Sequence, residues 1–183
     1  MRTFVAVDAL STAIVNLQNE ILSTSGWNRR DIKPVEAHNF HFTLIFLGET
    51  NDHDIGRIKE KLAELRFDPF TLMYQRVGGF PSSSAARVVW AGIDQEGAQK
   101  LTALANEVVL KMSEVGFRPD KPFSPHMTFL RVKGRSVRMN EIAAKYKDRT
   151  FGSDLVDRVH LKKSSLTPSG PIYSNIYTVH AHQ

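Results

Sequence analysis

The sequence predicts an α+β fold made of two related lobes, each a small, mostly antiparallel sheet backed by helices, with a central cleft between them. Three observations carry this. Short apolar, β-branched runs alternate with segments of helical period along the whole chain. The order strand, helix, strand, helix, strand occurs twice. Four landmarks of the first half recur in the second, in the same order, at offsets of 81 to 85 residues.

In the first half, RTFVAVD (Arg2 to Asp8) reads as a buried strand. Ser11 or Thr12 then caps a helix in which Ile14, Leu17, Ile21 and Leu22 recur at helical spacing. Gly26 and Pro34 mark a loop, Phe40 to Leu47 a second strand, and Gly48 its end. Asn51 or Asp52 caps a second helix with Ile55, Ile58, Leu62 and Leu65 on one face. DPFTLMYQRVGGF is a third strand closed by Gly78 and Gly79, before a Pro-Ser loop at 81–84.

The second half repeats this order. RVVWAGID echoes RTFVAVD, and a helix carrying Leu101, Leu104, Val108 and Met112 ends at Gly116. FSPHMTFLRVKG echoes NFHFTLIFLGE, with the two histidines 85 residues apart. A short helix around Ile142 to Tyr146 leads into FGSDLVDRVHLKKSSL, read as one strand equivalent to FTLMYQRVGGF, and SGPIYSNIYTVHAH supplies a turn and a last strand. No linker is long or polar enough to separate independent bodies. Residues 1–183 are therefore expected to be one domain, with approximate repeat units 1–80 and 86–163.

Composition narrows the class. With 42% hydrophobic and 23% charged residues in 183, disordered, collagen-like and coiled-coil chains are excluded. No run of 18 apolar residues is present, and Asp8 interrupts the N-terminal stretch where a signal peptide stays apolar. A cytoplasmic monomer without a membrane partner is expected. The absence of cysteine removes disulfides, thiol nucleophiles and thiolate metal sites. A net charge of +5 points to anionic partners but is too mild to grip long nucleic acid.

The chemistry concentrates in His-x-Thr, present as His41-Phe42-Thr43 and His126-Met127-Thr128. Chance gives about 0.4 such matches in a chain of this composition, so position matters more than count. Both lie on apolar strands at equivalent places in the repeat. On a strand, His and Thr two apart project to the same face, with Phe42, Leu44 and Phe46 directed the other way into the core. Two imidazoles across one cleft suit general acid-base catalysis, because histidine titrates near neutrality. A threonine hydroxyl beside each can donate to an anionic oxygen held between them.

With these motifs and their flanks, the chain resembles the 2H phosphoesterase superfamily. Within it, the chain is similar to the bacterial and archaeal RNA 2′,3′-cyclic phosphodiesterases, also known as 2′-5′ RNA ligases. RTFVAVD, NFHFTLIFLGE, GGFPSSSAARVVWAGI, PFSPHMTFLRVK and KKSSLTPSGPIY carry the resemblance over essentially the whole chain. Phe129 departs from the leucine usual there, on the buried face. The resemblance implies a metal-independent enzyme with no cofactor that opens a terminal RNA 2′,3′-cyclic phosphate to a 2′-phosphate. It implies His41 as acid on the leaving 3′ oxygen, His126 as base on water, and Thr43 and Thr128 on the phosphate oxygens. Spacing alone leaves acid and base open. The implied partner is an RNA end, such as a tRNA fragment, or a cyclic nucleotide. Reversal with a 5′-hydroxyl would form a 2′-5′ bond without ATP. Two alternatives remain: an RNA-end-binding module without turnover, and the same chemistry on another cyclic phosphate or a 2′-5′ oligonucleotide.

Further candidates surround the pair. Arg131 stands five residues after His126, where the family also carries a basic residue, but strict alternation turns it away unless a bulge intervenes. Phe80, Phe123 and Tyr173 are aromatics able to stack a base, with Phe123 ranked first. Arg87, Lys33, Lys121 and Lys133 are candidates for an RNA approach. His38/His41 and His180/His182 have ligand-like spacing, but no acidic residue stands beside them at a motif distance. His53 and His160 read as ordinary surface or strand residues, and Lys162-Lys163 as a solvated edge.

Overall fold

Arg2–Asp8 forms strand β1, and the near-continuous burial of this apolar run follows from its central position. In the computed structural model, which describes residues 1–168 and 170–182, β1 lies between β3 (His41–Glu49) and β8 (Arg158–Thr167). Strand β9 (Gly170–His180) completes a four-stranded antiparallel sheet of order β3-β1-β8-β9. The second sheet has order β2-β6-β5-β4-β7, from Ile32–Pro34, Met127–Val132, Val88–Ile93, Phe70–Phe80 and Thr150–Val156. All its pairings are antiparallel too.

Helices α1 (Ala13–Thr24), α2 (Asp52–Ala63), α3 (Gln95–Ser113) and α4 (Asn140–Lys145) back the sheets, and their apolar stripes join the strands in one core. Helix α1 packs on β6 and β7, whereas α3 packs on β3 and β4. Asn51 starts α2 with a capping box: its side chain accepts from Asp54 N at 2.9 Å, and Asp54 accepts from Asn51 N at 3.2 Å. At the start of α1 Thr12 makes no side-chain cap, but Ser11, the other expected cap, accepts from Ala13 N through Oγ at 3.3 Å, and Asp154 of β7 also holds the turn by accepting from the backbone of Leu10 and Ser11.

The sheets do not coincide with the sequence halves. With β1 matched to β5, β3 to β6, β8 to β4 and β9 to β7, the two strand orders are the same. Strand β4, from the first half, lies among β5 and β7, and β8, from the second half, pairs with β1. The first half therefore lends β2 and β4 to the second sheet and the second half lends β8 and β9 to the first, so units 1–80 and 86–163 do not each close a lobe of their own. The segment expected as one strand over 151–166 is correspondingly two. The chain leaves the second sheet at Val156 and enters the first at Arg158. Strand β2, in the stretch read as a loop, adds to the β6 edge and sets Lys33 opposite Arg131.

Gly78 and Gly79 lie inside β4 rather than ending it. The Trp90 indole of β5 lies flat on Gly78, where a Cβ would stand 2.1 Å from the ring, and a Cβ on Gly79 would meet Ala86 and Met139 at 2.6 Å. These glycines let a large side chain and a loop close over the strand.

Candidate active site

His41 opens β3, the edge strand beside β1 in the first sheet, and His126 immediately precedes β6, beside β5 in the second. Both strands then carry the same irregularity. Thr43 pairs with Ala6 and Ile45 with Val5, leaving Leu44 as an extra residue. Thr128 pairs with Trp90 and Leu130 with Val89, leaving Phe129 extra. A bulge therefore follows each threonine, and parity reverses beyond it. This brings Arg131 back to the side of His126 and Thr128, which regular alternation forbids. At the equivalent place on β3, a further bulge at Leu47 accompanies Phe46, which is 45% exposed rather than directed into the core.

The two histidines are tethered alike. Nδ1–H of His41 donates to the Asn39 carbonyl at 2.7 Å, and Nδ1–H of His126 donates to the Ser124 carbonyl at 2.7 Å. Because a carbonyl only accepts, each tether fixes the tautomer and leaves Nε2 as the nitrogen available to a substrate. A neutral ring then offers a lone pair and a charged ring a proton. Phe4 and Tyr173 wall His41, with ring centroids 5.1 and 5.2 Å away, and Phe80 stands edge-on to His126 at 5.0 Å. Burial draws the His41 pKa from 6.5 down to about 4; Lys162 and Arg131 add to this, while the Asn39 carbonyl and Asp8 oppose it.

Behind His41 lies a polar cluster that the sequence analysis passed over. Lys162, 5% exposed, places Nζ 2.7 Å from Asp8 Oδ1 and donates to Asn175 Oδ1 at 2.7 Å. His160, also 5% exposed, has Nε2 3.4 Å from Asp8 Oδ2 and Nδ1 2.9 Å from Thr178 Oγ1; burial lowers its pKa. Lys162 is thus no solvated edge residue and His160 no ordinary one. Their strand runs between β1 and β9 inside a sheet, and Asp8, Thr178 and Asn175 on those neighbours take the place of water around them. The polar alternation in VHLK marks the face they share but not what covers it.

His41, Thr43, His126, Thr128, Arg131 and Tyr173 line one cleft of about 230 Å³, walled further by Lys33, Val35, Glu36, Asn39 and Pro171. Phe123 does not line it; its half-buried ring packs against the core from the loop before His126. Of the four basic residues considered for an RNA approach, Lys33 lines the cleft, whereas exposed Arg87, Lys121 and Lys133 do not. Lys33 and Asn39 are site residues reached through β2 and the turn after it, elements too short for periodicity to announce. Among the described residues, no group of three or more histidine or acidic side chains is gathered as a metal site.

Residues 6–90 and 92–173 match a family described as LigT like phosphoesterase. The chain belongs to this family. It is similar to an RNA 2′,3′-cyclic phosphodiesterase of Archaeoglobus fulgidus, 41% identical over 179 residues that cover 96% of this chain and 98% of the relative. One from Methanothermobacter thermautotrophicus is 33% identical over 96% of each chain. Among solved structures, E. coli LigT in its apo form superposes with a TM-score of 0.77 at 25% identity, covering 100% of this chain and 98% of the other. E. coli LigT complexed with 3′-AMP gives 0.78 at 26% identity with the same coverage. The likeness to LigT structures thus accounts for the two-lobed architecture.

Proposed function

We propose that this protein hydrolyses RNA 2′,3′-cyclic phosphate ends to 2′-phosphates, using His41 and His126 as acid and base. The observation that carries the reading is the matched tether of two cleft histidines, each holding Nδ1–H on the carbonyl two residues earlier and presenting Nε2. The relatives that share this chain's length are named for that activity.

In the reaction, water attacks phosphorus while His126 Nε2 takes its proton. The P–O3′ bond breaks as His41 Nε2–H protonates the departing oxygen. One water is consumed, a 3′-hydroxyl and a 2′-phosphomonoester form, and solvent resets the two rings. Thr43 and Thr128 donate their hydroxyls to the non-bridging oxygens, and the Arg131 guanidinium offsets the charge that grows there. With its pKa drawn down to about 4 by burial, His41 is neutral at pH 7, the state of a base. The bound diester supplies the negative charge that lets it hold the acid proton. With a ribose 5′-hydroxyl in place of water, the same groups form a 2′-5′ linkage: His126 takes the hydroxyl proton, the 5′ oxygen bonds to phosphorus, and O3′ leaves with the His41 proton.

The test is product analysis on a short RNA ending in a 2′,3′-cyclic phosphate. The wild type is expected to yield a 2′-phosphate with EDTA present, and His41→Ala or His126→Ala to lose at least about 100-fold in kcat. A 3′-phosphate product, or full activity in either folded variant, overturns the reading.

A further inference from the structure

The two sheets agree at the motifs and differ in the strands beside them. On β1, Asp8 pairs with His41 and Ala6 with Thr43. On β5, Trp90 pairs with Thr128 and Ala91 with Met127, so the next residue, Gly92, stands opposite His126. One strand further in, Ala6 pairs with His160 and Phe4 with Lys162, whereas Trp90 pairs with Gly78 and Val88 with Phe80. Asp8 therefore corresponds to Gly92, His160 to Gly78 and Lys162 to Phe80.

Cross-strand partners share a face of their sheet, so Asp8 and His41 project to the same side. The first sheet thus sets an ionic cluster beside its histidine, where the matching positions of the second hold two glycines and a phenyl ring. The cluster is built across three adjacent strands. Lys162 Nζ lies 2.7 Å from Asp8 Oδ1 and donates to Asn175 Oδ1 at 2.7 Å, while His160 Nε2 lies 3.4 Å from Asp8 Oδ2. A largely enclosed carboxylate keeps its charge only where a cation and donors meet it, and Lys162 supplies the cation. At the second histidine, Phe80 stands edge-on to His126 and 5.5 Å from Trp90, whose indole covers Gly78.

We propose that Asp8 is a positioning residue that makes His41, rather than His126, the acid of the reaction, with Lys162 holding Asp8 in place. The proposal rests on the acid-base reading of the two histidines. Their tethers cannot divide the roles, because each ring gives Nδ1–H to the carbonyl two residues earlier. A carboxylate beside one ring does divide them. It favours the imidazolium there, and the imidazolium is the form that carries a proton to O3′. The charged groups that face His41 are Asp8 from β1, Lys162 from β8 and Arg131 from β6, with the Tyr173 ring on β9 and His126 across the cleft. Asp8 is the anion among them. Burial and the two cations keep His41 neutral. A bound diester adds a second anion, and together with Asp8 it seats the proton.

The experiment measures kcat/KM at pH 7 for a nucleoside 2′,3′-cyclic phosphate and for its analogue with sulfur at the bridging 3′ position, and takes the ratio of oxygen to sulfur. Water adds to phosphorus in both. The P–O3′ bond needs a proton from the acid as it breaks, whereas the P–S bond breaks to a thiolate that departs without one. The ratio therefore reads acid catalysis and cancels any loss of folded protein. Asp8→Asn, which keeps the side chain's shape, is expected to lower the ratio about tenfold, and Lys162→Met to raise it. An unchanged ratio in Asp8→Asn, or a change of the same sign in both variants, overturns the proposal. The histidine variants separate it from the reading beneath it. If His41→Ala lowers the ratio and Asp8→Asn does not, the role of Asp8 falls and the acid-base reading stands. If neither His41→Ala nor His126→Ala slows the oxygen substrate, the reading itself falls. A ratio lowered by His126→Ala but not by His41→Ala reverses the roles and overturns the proposal.

Discussion

At pH 7 the His41 ring is neutral, its pKa drawn down to about 4 by burial, with Nδ1–H committed to the Asn39 carbonyl. Protonation is therefore coupled to substrate. A phosphodiester in the cleft adds a negative charge that favours the imidazolium and moves the pKa upward. Histidine NMR should show the ring titrating near pH 4 in the ligand-free protein and at higher pH with a nucleoside 2′-phosphate bound; an unchanged midpoint would contradict the acid role. The Asp8–Lys162 pair provides a second handle. Lys162 pushes the His41 pKa down and Asp8 pushes it up, so Lys162→Met should raise the titration and Asp8→Asn lower it. Leaving Asp8 without its buried partner should also cost about 3 kcal/mol in denaturant unfolding. Titration shifts of the opposite sign would remove the pair from the electrostatics of the site. His41 itself was legible in the sequence because it lies in a motif. Asp8 and Lys162 were not, because 154 residues of chain separate two charges whose meeting depends on which strands become neighbours.

Among elements, β7 and the turn before α1 are joined by one carboxylate. Asp154 accepts from the Tyr74 hydroxyl at 2.6 Å and from the backbone of Leu10 and Ser11. Burial and this carboxylate push the Tyr74 phenol well above its ordinary pKa, so the hydroxyl stays a donor. Asp154→Ala should destabilise the protein by about 2 kcal/mol, since a buried hydroxyl and the entry to α1 lose their acceptor together; a loss under about 0.5 kcal/mol in denaturant unfolding would refute the junction's importance. The long strands and helices were readable because their apolar residues keep a period over two turns or more. The short β2 has no period to keep. The bulges at Leu44 and Phe129 were hidden for a different reason: one inserted residue reverses every later side chain, and an apolar run reads the same with or without it. Hence Arg131 was directed away from the histidines by strict alternation, and Phe46 into the core.

For the whole molecule, the repeated order in the sequence anticipated two sheets with matching strand orders but not the exchange of β4 and β8 between them. Local pattern specifies that a strand forms and leaves its partner to long-range packing. The exchange makes a direct prediction. Fragments 1–85 and 86–183, expressed separately, should each lack native structure by circular dichroism and amide dispersion, because each is missing a central strand of the sheet it would build. Mixed, they should recover folded signal and cyclic-phosphate turnover. A fragment that folds alone would show the exchange to be dispensable.

That interlacing also bears on how the jaws of the site move. His41 and His126 belong to opposite sheets, and the chain passes between the sheets four times, from β1 to β2, β2 to β3, β3 to β4 and β7 to β8. A molecule joined by one strap could swing open like a book, whereas four crossings resist both opening and shear. The gap between the two histidines is consequently a fixed gauge, against which a phosphate either fits or does not.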